Sequence, residues 1–144
     1  MRFVRLYPVI LFLALVFFLH GCATPPPPQP AAGNFTPVEW NKFISGLFVD
    51  DYNDKWVALE AAFFSHDQKL MGGYDQNKWI QISVTSTDRS KADWINVLVP
   101  KNSLGPVLDL TRNDVIRIEG LAQVATRTYN SGRVVRALYI EAAN

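Results

Sequence analysis

Leu110-Thr111-Arg112-Asn113-Asp114-Val115-Ile116-Arg117-Ile118-Glu119-Gly120 is a turn followed by the start of a strand. Asn113 and Asp114 carry short side chains that bond to nearby backbone, and Asn is, after glycine, the residue that best tolerates a left-handed turn. Val115, Ile116 and Ile118 are β-branched and open a strand that the pattern extends to Thr126. Gly120 falls inside that strand, where a missing side chain permits a sharp bend or a close approach of backbone.

Four further strands are predicted on either side: Lys55–Ser65, Trp79–Ser86, Trp94–Pro100 and Val134–Glu141. Each is rich in β-branched or aromatic residues and bounded by Gly, Pro, Asn or Asp. In the second strand Ile80, Ile82 and Val84 share one face, and Trp79, Gln81, Ser83 and Thr85 the other. The third places Ile95, Val97 and Val99 opposite Trp94, Asn96 and Leu98. Ser103–Leu110, with Gly105-Pro106 inside it, has room only for a short helical turn or loop. Tyr129-Asn130-Ser131-Gly132-Arg133 reads as a hairpin turn between the last two strands.

Five strands with an irregular insertion between the third and fourth is the layout of the OB fold, a small Greek-key barrel. The opening stretch resembles the L-x-x-G-D-x-V-x-V-x-G entry to the fourth strand of many OB domains, with Asn113 where glycine is usual. The resemblance spans residues 55–142 and implies a mostly-β, five-stranded OB-like barrel. Another small β-barrel or an open α+β meander would also satisfy the strand pattern.

Before the strands, Thr36-Pro37-Val38-Glu39 has the form of a capping box with proline at the first helical position. Trp40, Phe43, Ile44, Leu47 and Phe48 then recur at helical spacing, predicting an amphipathic helix from about Pro37 to Phe48 that packs on the barrel. The folded domain is therefore expected over 36–144.

The first residues follow a different logic. Arg2 and Arg5 precede an apolar run from Val9 to Leu19, the form of a secretory signal and too short for a comfortable membrane span. The run ends in Leu19-His20-Gly21-Cys22, which resembles the lipobox of bacterial lipoproteins. The resemblance implies that residues 1–21 are removed and that Cys22 receives a diacylglyceryl group and an N-acyl chain. Two or more chains make anchoring stable, since each buried CH₂ contributes about 0.8 kcal/mol. Ala23, where aspartate would retain such a protein in the inner membrane, implies the outer membrane facing the periplasm. An unmodified cysteine near an ordinary cleavage site, or an uncleaved signal anchor, is the alternative. Residues 22–35 then form a proline-rich, uncharged tether, which in polyproline II extends by about 3.1 Å per residue.

Loss of Arg2 and Arg5 leaves 12 Lys+Arg against 13 Asp+Glu, a net charge of −1. Non-specific nucleic-acid affinity rests on a positive field that such a domain lacks, so single-stranded nucleic acid is the least favoured partner. With Cys22 as the only cysteine, no internal disulfide is possible.

Catalytic arrangements are hard to assemble. His66 is the only histidine outside the signal, and Ser65-His66-Asp67 reads as a polar loop without a nucleophile elbow. Asp50, Asp51, Asn53 and Asp54 lack the turn glycine and distal glutamate of a calcium loop, so no metal or other cofactor is expected. Met71-Gly72-Gly73 lacks the lysine of a phosphate loop. Glu60 is either exposed on the barrel exterior or paired inside it. A non-enzymatic module is the expectation.

OB domains bind ligands on the face of their second and third strands, flanked by the loops joining strands one to two and four to five. The resemblance carries that face to Trp79, Gln81, Ser83, Trp94 and Asn96, with Tyr74 and Lys78 in the first loop and Arg127, Tyr129 and Arg133 in the second. An envelope protein would be the partner, or peptidoglycan if Tyr74, Trp79 and Trp94 form an exposed aromatic platform. The competing reading packs Trp79 and Trp94 on each other, or under the helix, as a second small core.

Overall fold

Runs of β-branched and aromatic residues form the strands β1 (Lys55–Asp67), β2 (Trp79–Thr85), β3 (Trp94–Pro100), β4 (Val115–Thr126) and β5 (Ser131–Ala142). The structure is a computed structural model and describes residues 28–31, 34–44, 49–67, 70, 74–88, 93–126 and 131–143.

β1 is long enough to serve two neighbours. Its first half runs antiparallel to β4, from Lys55 opposite Ala122 to Ala62 opposite Val115. Its second half runs antiparallel to β2, from Ala62 opposite Thr85 to Asp67 opposite Gln81. β2 pairs antiparallel with β3, β3 parallel with β5, and β5 antiparallel with β4. The ring β1-β2-β3-β5-β4-β1 closes the five-stranded OB-like barrel that the sequence pattern implies.

Two bulges shape it. In β1, Phe63 faces Val84 and Ser65 faces Ser83, so Phe64 is the extra residue. Its ring lies under the Arg112 guanidinium, 4.2 Å from carbon to centroid. In β5, Tyr139 faces Glu119 and Ala137 faces Gly120, so Leu138 is extra. A bulge reverses which face each later side chain takes.

Inside the barrel lie Val57, Leu59, Ala61 and Phe63 of β1, Ile82 and Val84 of β2, and Ile95, Val97 and Val99 of β3, with Ile116, Ile118 and Val135 across from them. One end is closed by the short helix α3 (Gly105–Leu108), which buries Val107 completely. At the other end Phe43 and Tyr52 meet edge to face at 5.4 Å.

The region before β1 departs from expectation. Thr36 and Pro37 pair in parallel with Val57 and Ala58, and the Val38 amide donates to the Ala58 carbonyl. Pairing with β1 takes the residues that the capping box would use, so the helix starts later, as α1 (Trp40–Ile44). Tyr52 supplies the acceptor at its start, through its hydroxyl 3.3 Å from the Glu39 amide. A second turn, α2 (Val49–Tyr52), follows, and Leu47 and Phe48 of the expected stripe lie outside the described residues.

Two boundaries move for the same physical reason, ladder pairing that continues past the local turn signals. β1 runs to Asp67, so His66 and Asp67 are strand rather than loop. β5 starts at Ser131, with Val124 opposite Arg133, so Arg133 is a strand residue rather than part of the turn. Among the described residues no helix is long and apolar enough to cross a membrane.

Candidate functional site

The outward face of β2 and β3 is where the sequence places a ligand, and most of it is closed. Gln81, Ser83 and Asn96 are all buried. Gln81 and Ser83 converge on Asp67, which the β1 bulge turns to this face, and both reach Asn96 Oδ1 as well. Gln81 Nε2 donates to Asp67 Oδ2 at 2.8 Å and to Asn96 Oδ1 at 3.1 Å. The Ser83 hydroxyl donates to Asp67 Oδ2 at 2.8 Å, and the Ser65 hydroxyl to Asp67 Oδ1 at 3.2 Å. This is an internally satisfied polar cluster, and its groups serve the fold.

Beside it, Leu98 and Val134 point outward yet are fully buried, with Leu70, Tyr74 and Trp79 packed on them. Tyr74 meets Trp79 edge-on at 6.5 Å, and its hydroxyl donates to Gln123 Oε1 at 3.3 Å. Burial raises the Tyr74 phenol above its ordinary pKa, while Arg136 acts in the opposite direction. The segment joining β1 to β2 thus packs through Leu70 and Tyr74 on the surface that OB domains customarily present to ligands.

Trp79 and Trp94 form neither a platform nor a contact. Trp79 stands opposite Pro100 and Trp94 opposite Thr85, at opposite ends of the β2–β3 pair. Six residues of strand separate them, about 20 Å at the usual rise. Trp79 belongs to the second small core, whereas Trp94 is 64% exposed.

The other candidates scatter. Lys78 is exposed, 4.0 Å from Asp75. Arg133 lies over the Phe43 ring at 5.0 Å, at the barrel end closed by α1. Cys22, Arg127 and Tyr129 lie outside the described residues. His66 packs edge-on against Phe63, with Nε2 3.1 Å from the Val107 carbonyl oxygen, holding α3 in place. Glu60 is exposed, opposite Arg117. Asn53 Oδ1 accepts the Val124 amide and Asp54 Oδ1 accepts Gln123 Nε2, so this acidic turn fastens to β4. Among the described residues no three His, Cys, Asp or Glu side chains gather as metal ligands would.

Sequence reasoning missed a second place. A cleft of about 610 Å³ lies between the segment after β3 and the exterior of β4 and β5, lined by Asn102, Ser103, Arg117, Glu119, Tyr139 and Glu141 among others. Arg117 Nη2 is 2.8 Å from Glu119, and its Nε is 3.9 Å from Glu141. Its signal in the sequence is Gly120, which marks the bulge beside it.

No family model matches the sequence, and no curated protein matches it either. Solved structures do resemble the fold. An aspartyl-tRNA synthetase from Leishmania major superposes with a TM-score of 0.53 at 14% identity over 92% of this chain, which spans 26% of the synthetase. An OBody bound to hen egg-white lysozyme gives a TM-score of 0.54 at 17% identity, covering 74% of this chain and 94% of the OBody. A small single-stranded DNA-binding protein from Streptomyces coelicolor gives 0.39 at 14% identity, over 61% of this chain and 91% of its own.

Proposed function

We propose that the chain is a lipid-anchored protein of a bacterial envelope whose OB-like barrel is a non-enzymatic interaction module. The observation that carries the proposal is Leu19-His20-Gly21-Cys22, placed directly after a positively charged start and a short apolar run. Cys22 takes the diacylglyceryl and N-acyl groups, and Ala23 directs the protein to the outer membrane, facing the periplasm. The proline-rich tether holds the barrel away from the lipid surface.

The partner is an envelope protein. Trp94 favours this, as an exposed aromatic side chain on a rigid strand that can fill a pocket on another protein. Catalysis has no part in the proposal, since His66 is occupied with the α3 carbonyl and an aromatic ring. Single-stranded nucleic acid has none either, since the net charge is −1 after signal removal and the β2–β3 face is covered.

Growth with labelled palmitate tests the anchor. The wild-type chain incorporates label and partitions with the outer membrane; Cys22→Ser stays unlabelled and uncleaved. Label in the Cys22→Ser chain overturns the assignment.

A further inference from the structure

We infer that the cleft around Arg117 and Tyr139 binds a neutral saccharide. The inference deepens the interaction-module reading, on which it rests, by naming a ligand class and a place on the barrel away from β2 and β3.

Strict alternation along β5 would send Tyr139 and Glu141 to the same side as Val135 and Ala137, into the core. The bulge at Leu138 prevents this. Ala137 stays 5% exposed inside, whereas Tyr139 is 51% exposed outside, beside Glu141. Bulges of this kind re-aim side chains and are over-represented beside binding sites. The residues re-aimed join Arg117 and Glu119 of β4 and Asn102 and Ser103 of the segment after β3, at one cleft.

The chemistry selects the ligand. Two carboxylates against one guanidinium leave the lining net negative, which disfavours phosphates and polyanions. Pro106, Leu138 and Ile140 add apolar surface to the cleft, yet an acyl chain laid there would strip water from Arg117, Glu119 and Glu141 with no hydrogen bond in return. An exposed phenol ring offers an apolar face to the C–H side of a sugar ring. Carboxylates accept from hydroxyls, and Arg117 and the Asn102 amide donate to them. Arg117 is pre-oriented by Glu119 and Glu141, which reduces the ordering cost of binding. The volume, about 610 Å³, is in the range of small-molecule sites.

The test is titration of the full-length lipidated protein in detergent with soluble β-1,4-linked N-acetylglucosamine oligomers, together with co-sedimentation on chitin, the insoluble neutral polymer of the same unit. Saturable binding that changes less than twofold between 50 and 500 mM salt is expected, by the chemistry of a neutral ligand (about a fivefold or greater loss marks a charge-driven one). Tyr139→Ala should weaken it about tenfold or more, Tyr139→Phe should retain it (the ring, and not the hydroxyl, being the stacking element), and Lys42→Ala, exposed on α1, should leave it unchanged. No saturable binding by folded protein, undiminished binding by Tyr139→Ala, or a steep loss with salt overturns the inference. A protein partner captured at Trp94 without saccharide binding would overturn this site alone and leave the interaction-module reading standing.

Discussion

Gly120 lies directly against the carbonyl oxygen of Arg136. A β-carbon built on Gly120 would run into that oxygen and come within 2.9 Å of the Ala137 α-carbon. Both obstacles are backbone atoms of the strand paired with it, so neither can move without disturbing the β4–β5 ladder. Gly120→Ala is therefore expected to destabilise the barrel by about 1–3 kcal/mol, read as a lowered urea midpoint. An unchanged midpoint would show that the close approach is relaxed in solution.

Asn113 has φ of 78°, in the left-handed region, and its amide donates to the Phe63 carbonyl at 2.8 Å. The Asp114 carbonyl accepts the Phe63 amide at 2.8 Å, so the turn holds β1 at the bulge from both sides of one residue. Asn113→Gly should be as stable as the parent or slightly more so. Asn113→Val should lose about 1–3 kcal/mol, because a β-branched residue is strained there. Equal stability of the two variants would contradict this account of the turn.

Asp67 accepts from Ser65, Gln81 and Ser83. Asp67→Ala removes the acceptor shared by these three donors, leaving Gln81 and Ser83 to compete for Asn96 Oδ1, and should cost about 1–3 kcal/mol in denaturant unfolding. Asp67→Asn keeps one acceptor oxygen and should fall between the two. If Asp67→Ala unfolds at the wild-type midpoint, the cluster is solvated rather than structural.

Burial raises the Tyr74 phenol above its ordinary value of about 10. The folded state then holds this proton more tightly than the unfolded chain does. The stabilisation linked to it is complete below the unfolded value and is lost as pH rises through the folded one. Ultraviolet titration of phenolate should show one tyrosine ionising late, absent in Tyr74→Phe. Loss of an ordinary tyrosine from the titration curve instead would place Tyr74 in water.

The strands were legible where alternation and turn residues agree, and β3 and β4 match their expected limits. Inward faces were legible too, because Ile82, Val84, Ile95 and Val97 alternate without interruption. The burial of most of the outward face of β2 and β3 was not legible. Alternation separates two faces but does not say that one is open to water, and here Leu70 and Tyr74 fold back onto Leu98 and Val134. Leu98, an apolar residue on the supposed ligand face, was the available signal. The bulge at Phe64 was hidden and that at Leu138 was signalled only by Gly120 opposite it, since each depends on the register with a neighbouring strand. The capping signal at Thr36 was overridden in the same way, by pairing with β1.

The proposal that the barrel is an interaction module is tested most directly by photo-crosslinking in living cells, with the reactive residue placed at 94 and, as a comparison, at 79. Trp94 is exposed and Trp79 is packed in the second core. The account predicts a discrete protein adduct from position 94 and none from position 79. Adducts from position 79, or none from position 94 in a protein that is folded and membrane-anchored, would contradict it.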